Sequence, residues 1–441
     1  MTSSRLLGSL ATTEELADLF SDGSVLAAFL RFESALARAQ ARLGLIPASA
    51  ADAISRAAVG ETFDAGAIAR EARASSTMAI PLVNALSERV AVADEAAGGF
   101  VHWGATSQDA VDTAMSLLLE RARTIVGRDH ARLERSLRAL SDQHAATVML
   151  GRTLLQPAPP ITFGYKVAGW YGEVHRSWRR LCASFGGAVT LQLGGAAGTL
   201  AAYGHRGTAL AAELAKELNL PVADAPWQAH RDRLAALVAD CGIYTSALGK
   251  IARDVSLLMQ PEVGEVAEAG GGSSAMPNKR NPAGSVLALA AATRMPGLVA
   301  AFLAGMVQEH ERAAGGWQAE CPTVAAVIET TGSALAAIAE SIDGLTVYPE
   351  RMRANLNTTH GVIFAEKARM LVQPALGREA TQRLLAEAAR EALESAQPFR
   401  EVLRGKREIA SLLTAEQMDA IDRPEDYLGA AEEFRQKLLE D

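Results

Sequence analysis

From Asp112 to Leu140 the apolar residues Leu119, Ala122, Val126, Leu133, Leu137 and Leu140 fall at steps of 3, 4, 7, 4 and 3. That is the seam of a helix buried against other helices. From Arg231 to Met259 the seam is cleaner, with Leu237, Cys241, Tyr244, Leu248, Ile251, Val255 and Leu258 alternating by 4 and 3. Cys241 is then a core residue. No proline stands between Pro81 and Pro157, so the first helix can run to about 40 residues, about 60 Å, and needs helices of similar length beside it. The proline-free stretches 161–220, 297–321 and 323–348 carry Ala- and Leu-rich helical patterns, whereas the β-branched alternation of strands is scarce. The expected fold class is all-α, built round a central bundle of long helices.

The flanking segments divide the chain further. Between Glu14 and Leu43, Phe20, Val25, Phe29, Phe32, Leu36 and Leu43 recur at helical steps, and Gly44 with Pro47 closes the pattern. A second helix is expected over Ser49 to Ala58, and Thr62 or Asp64 can cap the next. The stretch Ala74-Ser75-Ser76-Thr77 reads as a polar hinge, serving a helix cap at least as readily as a ligand. Prolines at 157–160, 221–226, 261, 277 and 282 are expected where helices end, and Pro374, Pro398 and Pro424 cut the last stretch into short helices. Three helical domains follow: 1–108, 109–350 and 351–441.

At 441 residues and 49% apolar, the chain can bury more than one core. A net charge of −8 argues against nucleic acid as a partner. Cys182, Cys241 and Cys321 are odd in number and unpaired in spacing, which suits reduced thiols in a cytoplasm. No apolar run approaches the roughly 20 residues of a membrane span, and the N-terminus lacks the core of an export signal. A cytoplasmic protein without a membrane partner is expected.

Four polar patches lie at expected helix breaks: His102 to Asp109, Gly151 to Gln156, Gly270 to Pro282, and Gln308 to Arg312 with Trp317 and Glu320. In the first, Thr106 or Ser107 can cap the long helix, whose N-terminus offers N–H groups and a positive dipole to a carboxylate. In the second, Arg152, Thr153 and Gln156 offer donors to an oxygen-rich ligand. The third joins three glycines and two serines to Lys279, Arg280 and Asn281, a set suited to an anion. The lysine stands too late for a P-loop. The eight histidines show no zinc spacing, and Glu309-His310-Glu311 would face different sides of a helix, so no metal site is expected. A GxSxG elbow is absent. What remains is removal of a proton α to a carboxylate. The dianionic aci-carboxylate so formed needs cations and N–H donors, which Lys279, Asn281 and the loop backbone can supply. A serine is a base only where such groups hold its alkoxide, the reason for setting Ser273 beside Lys279.

The run Gly272 to Pro282, GSSAMPNKRNP, resembles the GSSxMPxKxNP loop of the fumarase/aspartase superfamily. Within it, VHWGATSQDAVDT (101–113), GRTLLQ (151–156), LQLGGAAGTL (191–200), RDVSLLM (253–259) and QEHER (308–312) are similar to the bacterial 3-carboxy-cis,cis-muconate cycloisomerases over nearly the full length. The resemblance implies a homotetramer with a central multi-helix core, active sites shared between subunits, no cofactor and a small polycarboxylate substrate. It also implies Ser273 as base, Lys279 and Asn281 as carboxylate ligands, and Thr106, Ser107, Thr153, Gln156 and Arg312 as site lining. Three positions depart: Pro157 where relatives commonly carry histidine, Asn278 within the loop, and His230 where glutamine is expected. Pro157 cannot donate a proton, so His230 is the candidate general acid, with a core or capping role as its plainer reading. Alternatives are a C–N lyase of the same superfamily that releases fumarate from an N-substituted aspartate or adenylosuccinate-like substrate, and a silent helical scaffold.

Overall fold

The computed structural model describes residues 5–59, 63–272, 276 and 279–440. Its long elements, in chain order, are α1 (Asp22–Arg42), α2 (Ser107–Gln143), β1 (Val148–Thr153), β2 (Gln156–Thr162), α3 (Phe163–Ala188), α4 (Asp232–Leu258), α5 (Ala283–Gly305) and α6 (Gly316–Asp343). Both heptad seams lie on long helices: Leu119, Leu133 and Leu137 of α2 and Leu237, Cys241, Tyr244 and Leu248 of α4 are completely buried.

The chain divides into two compact units, Met1–Ala131 with Arg176–Gly249 and Leu287–Ile338, and Arg132–His175 with Lys250–Val286 and Ala339–Asp441. In the first unit Phe29, Phe32 and Leu36 of α1 are buried. Within the same unit, His130 stacks on Trp178 at 4.2 Å between centroids and meets the Tyr244 hydroxyl at 2.9 Å. The second unit gathers the last short helices round Val148, Leu150, Phe364, Leu403 and Ile421.

Several expectations are corrected. The pattern over 14–43 is two helices, Glu14–Leu19 and α1, because Ser21 takes an extended backbone and its hydroxyl accepts from Ser24 N at 3.4 Å. Asp64 caps the following helix through Ala67 N; Thr62 lies outside the described residues. Thr77 serves the next helix start, accepting from Ala79 N at 3.2 Å. Pro374, expected to separate short helices, sits inside one, as Pro296 and Pro322 do within α5 and α6. Each removes one N–H from the ladder and crowds the preceding turn, a cost of about 3 kcal/mol in a helix interior that the packing of the rest of the helix has to offset.

The prolines at 157, 159 and 160 do not end a helix either: they lie in β2, which pairs antiparallel with β1. A two-stranded ribbon has only edge strands, the place where a strand tolerates proline. Finally, α4, α5 and α6 are each long and apolar enough to cross a membrane by length and composition. The sequence reading underestimated them because scattered Thr, Ser and single charges interrupt the apolar run. In the apolar windows of α4 and α6, 61% and 56% is buried within the chain, against 22% for α5.

Candidate active site

The first unit carries Thr106, Ser107, His230 and Arg312. Helix α2 begins at Ser107, and Asp109 in its first turn reaches back to accept from Thr106 N at 3.0 Å. The same carboxylate accepts from Gly194 N at 2.8 Å, Gly195 N at 2.9 Å and the Gln192 side chain at 3.3 Å. Burial pushes the Asp109 carboxyl up to about 6 against the pull of these donors. Gly195 O in turn accepts from Gln228 Nε2 and Arg312 Nη2, and Gln108 Nε2 donates to Gln228 O. The segments that bear Thr106, Ser107, His230 and Arg312 are thus tied together through Asp109, Gly195 and Gln228. His230 itself is exposed in the turn before α4, which removes the core reading of that residue.

Next to it Arg231 is 1% exposed. Its Nη1 donates to Asp112 Oδ2 at 2.8 Å and its Nη2 to Glu320 Oε2 at 2.5 Å. Trp317 Nε1 donates to Asp112 at 3.0 Å, and Gln308 Nε2 to Glu320 at 2.7 Å. Burial holds the Glu320 carboxyl above its usual range although Arg231 pulls it down. One cation between two buried acids cannot also serve a ligand, so Arg231 drops out of the cations available to a polycarboxylate. The QEHER run lies in an irregular loop, with His310 at a φ of 48°, not on a helix. Arg312 closes that loop by donating to Gly195 O and Ala196 O. A cavity of about 490 Å³ lies beside this cluster, lined by Val25, Leu26, Ile68, Met78, Val111 and Trp317. None of Thr106, Ser107, His230 and Arg312 is among its lining residues, but Ser76 and Thr77 of the polar hinge and Trp317 of the fourth patch are.

The second unit carries Thr153, Gln156, Lys279 and Asn281. Thr153 and Gln156 pair across the tip of the hairpin, both exposed. Between them Leu154 and Leu155 have φ of 51° and 64° and are 95% and 76% exposed. Arg152, expected to offer donors to a ligand, is instead committed to Glu265 through two bonds of 3.0 and 2.7 Å. Glu265 is fully buried and also accepts from Asn355 Nδ2.

The loop from 270 to 282 is clasped at its base. Asn281 N donates to Gly271 O at 2.7 Å, Gly272 bridges Arg280, and a side chain at Gly271, whose φ is 72°, would run into the Asn281 carbonyl. Glu268 then accepts from Gly284 N, Ser285 N and the Ser285 hydroxyl, capping α5 where the loop ends. Lys279 is exposed on this base. Ser273 and Asn278 lie outside the described residues. The sequence reading singled out neither Asp109 as the anchor of Gly194 and Gly195 nor Asp112, Arg231 and Glu320 as one network. A signal was present in two acids three residues apart at the start of a helix whose seam is otherwise apolar.

Residues 10–297 match the family model described as Lyase, and residues 361–438 match one described as Adenylosuccinate lyase C-terminus. A protein named 3-carboxy-cis,cis-muconate cycloisomerase from Bradyrhizobium diazoefficiens is 42% identical over 99% of this chain and 98% of its own. A nitrosuccinate lyase from Streptomyces davaonensis is also 42% identical, over 93% and 89%. The crystal structure of 3-carboxy-cis,cis-muconate lactonizing enzyme from Pseudomonas putida superposes with a TM-score of 0.93 at 38% identity, covering 99% of this chain and 98% of the other.

Proposed function

The chain belongs to the lyase family whose model spans residues 10–297, and from that premise we propose that it interconverts 3-carboxy-cis,cis-muconate and 4-carboxymuconolactone. The observation that carries this reading is full-length likeness to several cycloisomerases of that name, in sequence and in fold. In the closing direction a substrate carboxylate oxygen forms a C–O bond to one carbon of the double bond. The displaced electron pair moves into a neighbouring carboxylate as an aci-carboxylate dianion, and a proton then reaches the α carbon. In the opening direction Ser273 takes that proton, the double bond re-forms and the ring C–O bond breaks. Lys279 and Asn281 hold the dianion. Thr106, Ser107, Thr153, Gln156 and Arg312 orient the carboxylates, and His230, the candidate general acid, has no leaving group to protonate in this reaction. Nothing is gained or lost overall, as an isomerisation requires.

This chemistry accounts for Pro157. The group that departs on ring opening is a carboxylate, stable as an anion, so no acid has to protonate it. Departure of an amine or a purine nitrogen would need one. A site without a histidine at 157 therefore suits anionic leaving groups, which disfavours adenylosuccinate. It does not disfavour nitrosuccinate, from which β-elimination would expel nitrite. The equal identity to a nitrosuccinate lyase makes this the second reading.

The division into 1–108, 109–350 and 351–441 belongs to the same proposal, and the separate family match over 361–438 supports its last part. So does assembly as a homotetramer that shares its sites. The residues of the reading are split between two units, and α5 leaves Val286 and Leu303 55% and 44% exposed on a largely unburied apolar helix. Other copies of α5 would cover this face in a cytoplasmic enzyme without a membrane partner.

The test is a substrate panel. Purified protein without added metal or cofactor should consume 3-carboxy-cis,cis-muconate, followed by its ultraviolet absorbance, and leave adenylosuccinate untouched. Fumarate from nitrosuccinate with muconate unchanged would replace the first reading by the second.

A further inference from the structure

The hairpin of β1 and β2 leaves the body of its unit where its ladder is irregular. Leu150 pairs with Pro160 but Gly151 with Ala158, so Pro159 is an extra residue, and a Cβ at Gly151 would stand 2.3 Å from the Pro159 carbonyl oxygen. Such a bulge bends the strand pair and re-aims the side chains beyond it. Val148, Met149 and Leu150 are buried, whereas Thr153 and Gln156 at the tip are exposed. Between them Arg152 turns its guanidinium toward the interior. Its Nη1 and Nη2 donate to the two oxygens of Glu265 at 3.0 and 2.7 Å, and Nη1 also reaches Leu150 O at 3.3 Å.

Glu265 is itself held in place. Its side chain is fully buried, against 26% exposure for that of Arg152. Its Oε1 also accepts from Asn355 Nδ2 at 2.7 Å, and its carbonyl accepts from Tyr348 N at 2.9 Å. Asn355 Nδ2 donates as well to Val263 O, and Arg351 to the carbonyls of Glu262 and Val263, so the helix Pro349–Asn355 grips the chain just ahead of Glu265. Three residues further on, Glu268 caps α5, and the clasp of Asn281 N on Gly271 O follows. One buried segment thus carries two exposed ones, the hairpin tip and the base of the loop. A forked guanidinium–carboxylate pair fixes direction as well as distance, which a single ammonium does not. We propose that Arg152 and Glu265 are positioning residues of the reaction: their ion pair sets the hairpin tip, with Thr153 and Gln156, on the same anchor as the loop base, with Lys279 and Asn281. Neither needs to touch the reacting atoms. The proposal rests on the cycloisomerase reading, which puts those four residues at the substrate. In an assembly that shares its sites, tip and base of one chain are set by one anchor even where they serve different sites.

The experiment measures, on the full chain, hydrogen–deuterium exchange over residues 148–162 and kcat/KM with the muconate. Arg152→Met alone would strand the buried Glu265, so it is combined with Glu265→Gln, which keeps an acceptor for Asn355 and removes the charge. The double variant should melt close to the wild type. Exchange over 148–162 should rise about tenfold while that of α2 and α4 stays unchanged, and kcat/KM should fall about a hundredfold. A role in stability alone would instead return the activity together with the stability. Arg152→Lys keeps the charge without the fork and should lose about tenfold in kcat/KM, and it carries the test if the double variant does not fold. Wild-type turnover in either variant would overturn the proposal, as would unchanged exchange over 148–162 in the double variant. A wild type that leaves muconate untouched, with the exchange rising in the double variant as stated, would sink the cycloisomerase reading and keep the anchoring of the tip.

Discussion

At the residue scale the structure separates cations that hold the fold from those open to a ligand. Arg231→Met would strand Asp112 and Glu320 in the interior without their cation. The expected loss is about 3–5 kcal/mol of stability, read from urea unfolding, with activity falling too because Gln308 is anchored on Glu320. An unchanged unfolding midpoint would mean that the two acids are protonated or solvated instead. His102 makes a pH prediction. Its folded pKa is raised, so the folded state binds the proton more tightly than the unfolded one. The stabilisation by the Glu33 pair is full below the ordinary histidine value of about 6.5 and fades as pH rises through the raised value. The Tm difference between wild type and His102→Asn should therefore be widest near about pH 6 and close toward about pH 9. The motif order made Thr106, Ser107, Lys279, Asn281 and Arg312 legible in the sequence as candidates. It could not separate Arg231 from exposed arginines, because the run Arg231-Asp232-Arg233 looks like a solvated helix start. Partners at 112 and 320 appear only once the chain is folded.

At the scale of elements, periodicity carried the long helices and failed at the hairpin. The heptad seams gave α2 and α4 because a buried stripe has to repeat at that spacing. Prolines and short polar runs have no such period, so the sequence shows only a helix break where β1 and β2 lie, whereas the QEHER run, expected at a helix break, does lie in a loop. The hairpin tip yields a prediction of its own. Leu154 and Leu155 both hold positive φ in a two-residue connection, a conformation that Asn-Gly adopts with far less strain and that costs a non-glycine residue about 1–2 kcal/mol. The double variant Leu154→Asn with Leu155→Gly should raise Tm by a few degrees and lower activity, since the two exposed leucines flank Thr153 and Gln156. A fall in Tm would mean that the leucines are covered by another chain and stabilise the assembly. Glu268→Ala should lower kcat more than Tm, because it frees the first turn of α5 and with it the base of the loop that carries Lys279.

At the scale of the whole molecule, α5 is the element a single chain leaves incomplete. An apolar helix with 22% of its window buried calls for neighbours, and the proposed tetramer supplies them. Sedimentation should give about four times the 46.4 kDa chain. The double variant Val286→Glu with Leu303→Glu should shift the mass downward. Mixing inactive Thr153 and Ser273 variants should restore part of the activity if sites are shared, whereas a chain active as a monomer would remove the basis for sharing.

The central claim is tested most directly by incubating the protein with 3-carboxy-cis,cis-muconate in deuterium oxide and following the products by proton NMR. The account predicts 4-carboxymuconolactone carrying one solvent deuteron at the carbon α to the carboxylate, and loss of that product in Ser273→Ala with the assembly intact. Unchanged muconate, alongside fumarate formed from nitrosuccinate under the same conditions, would contradict it.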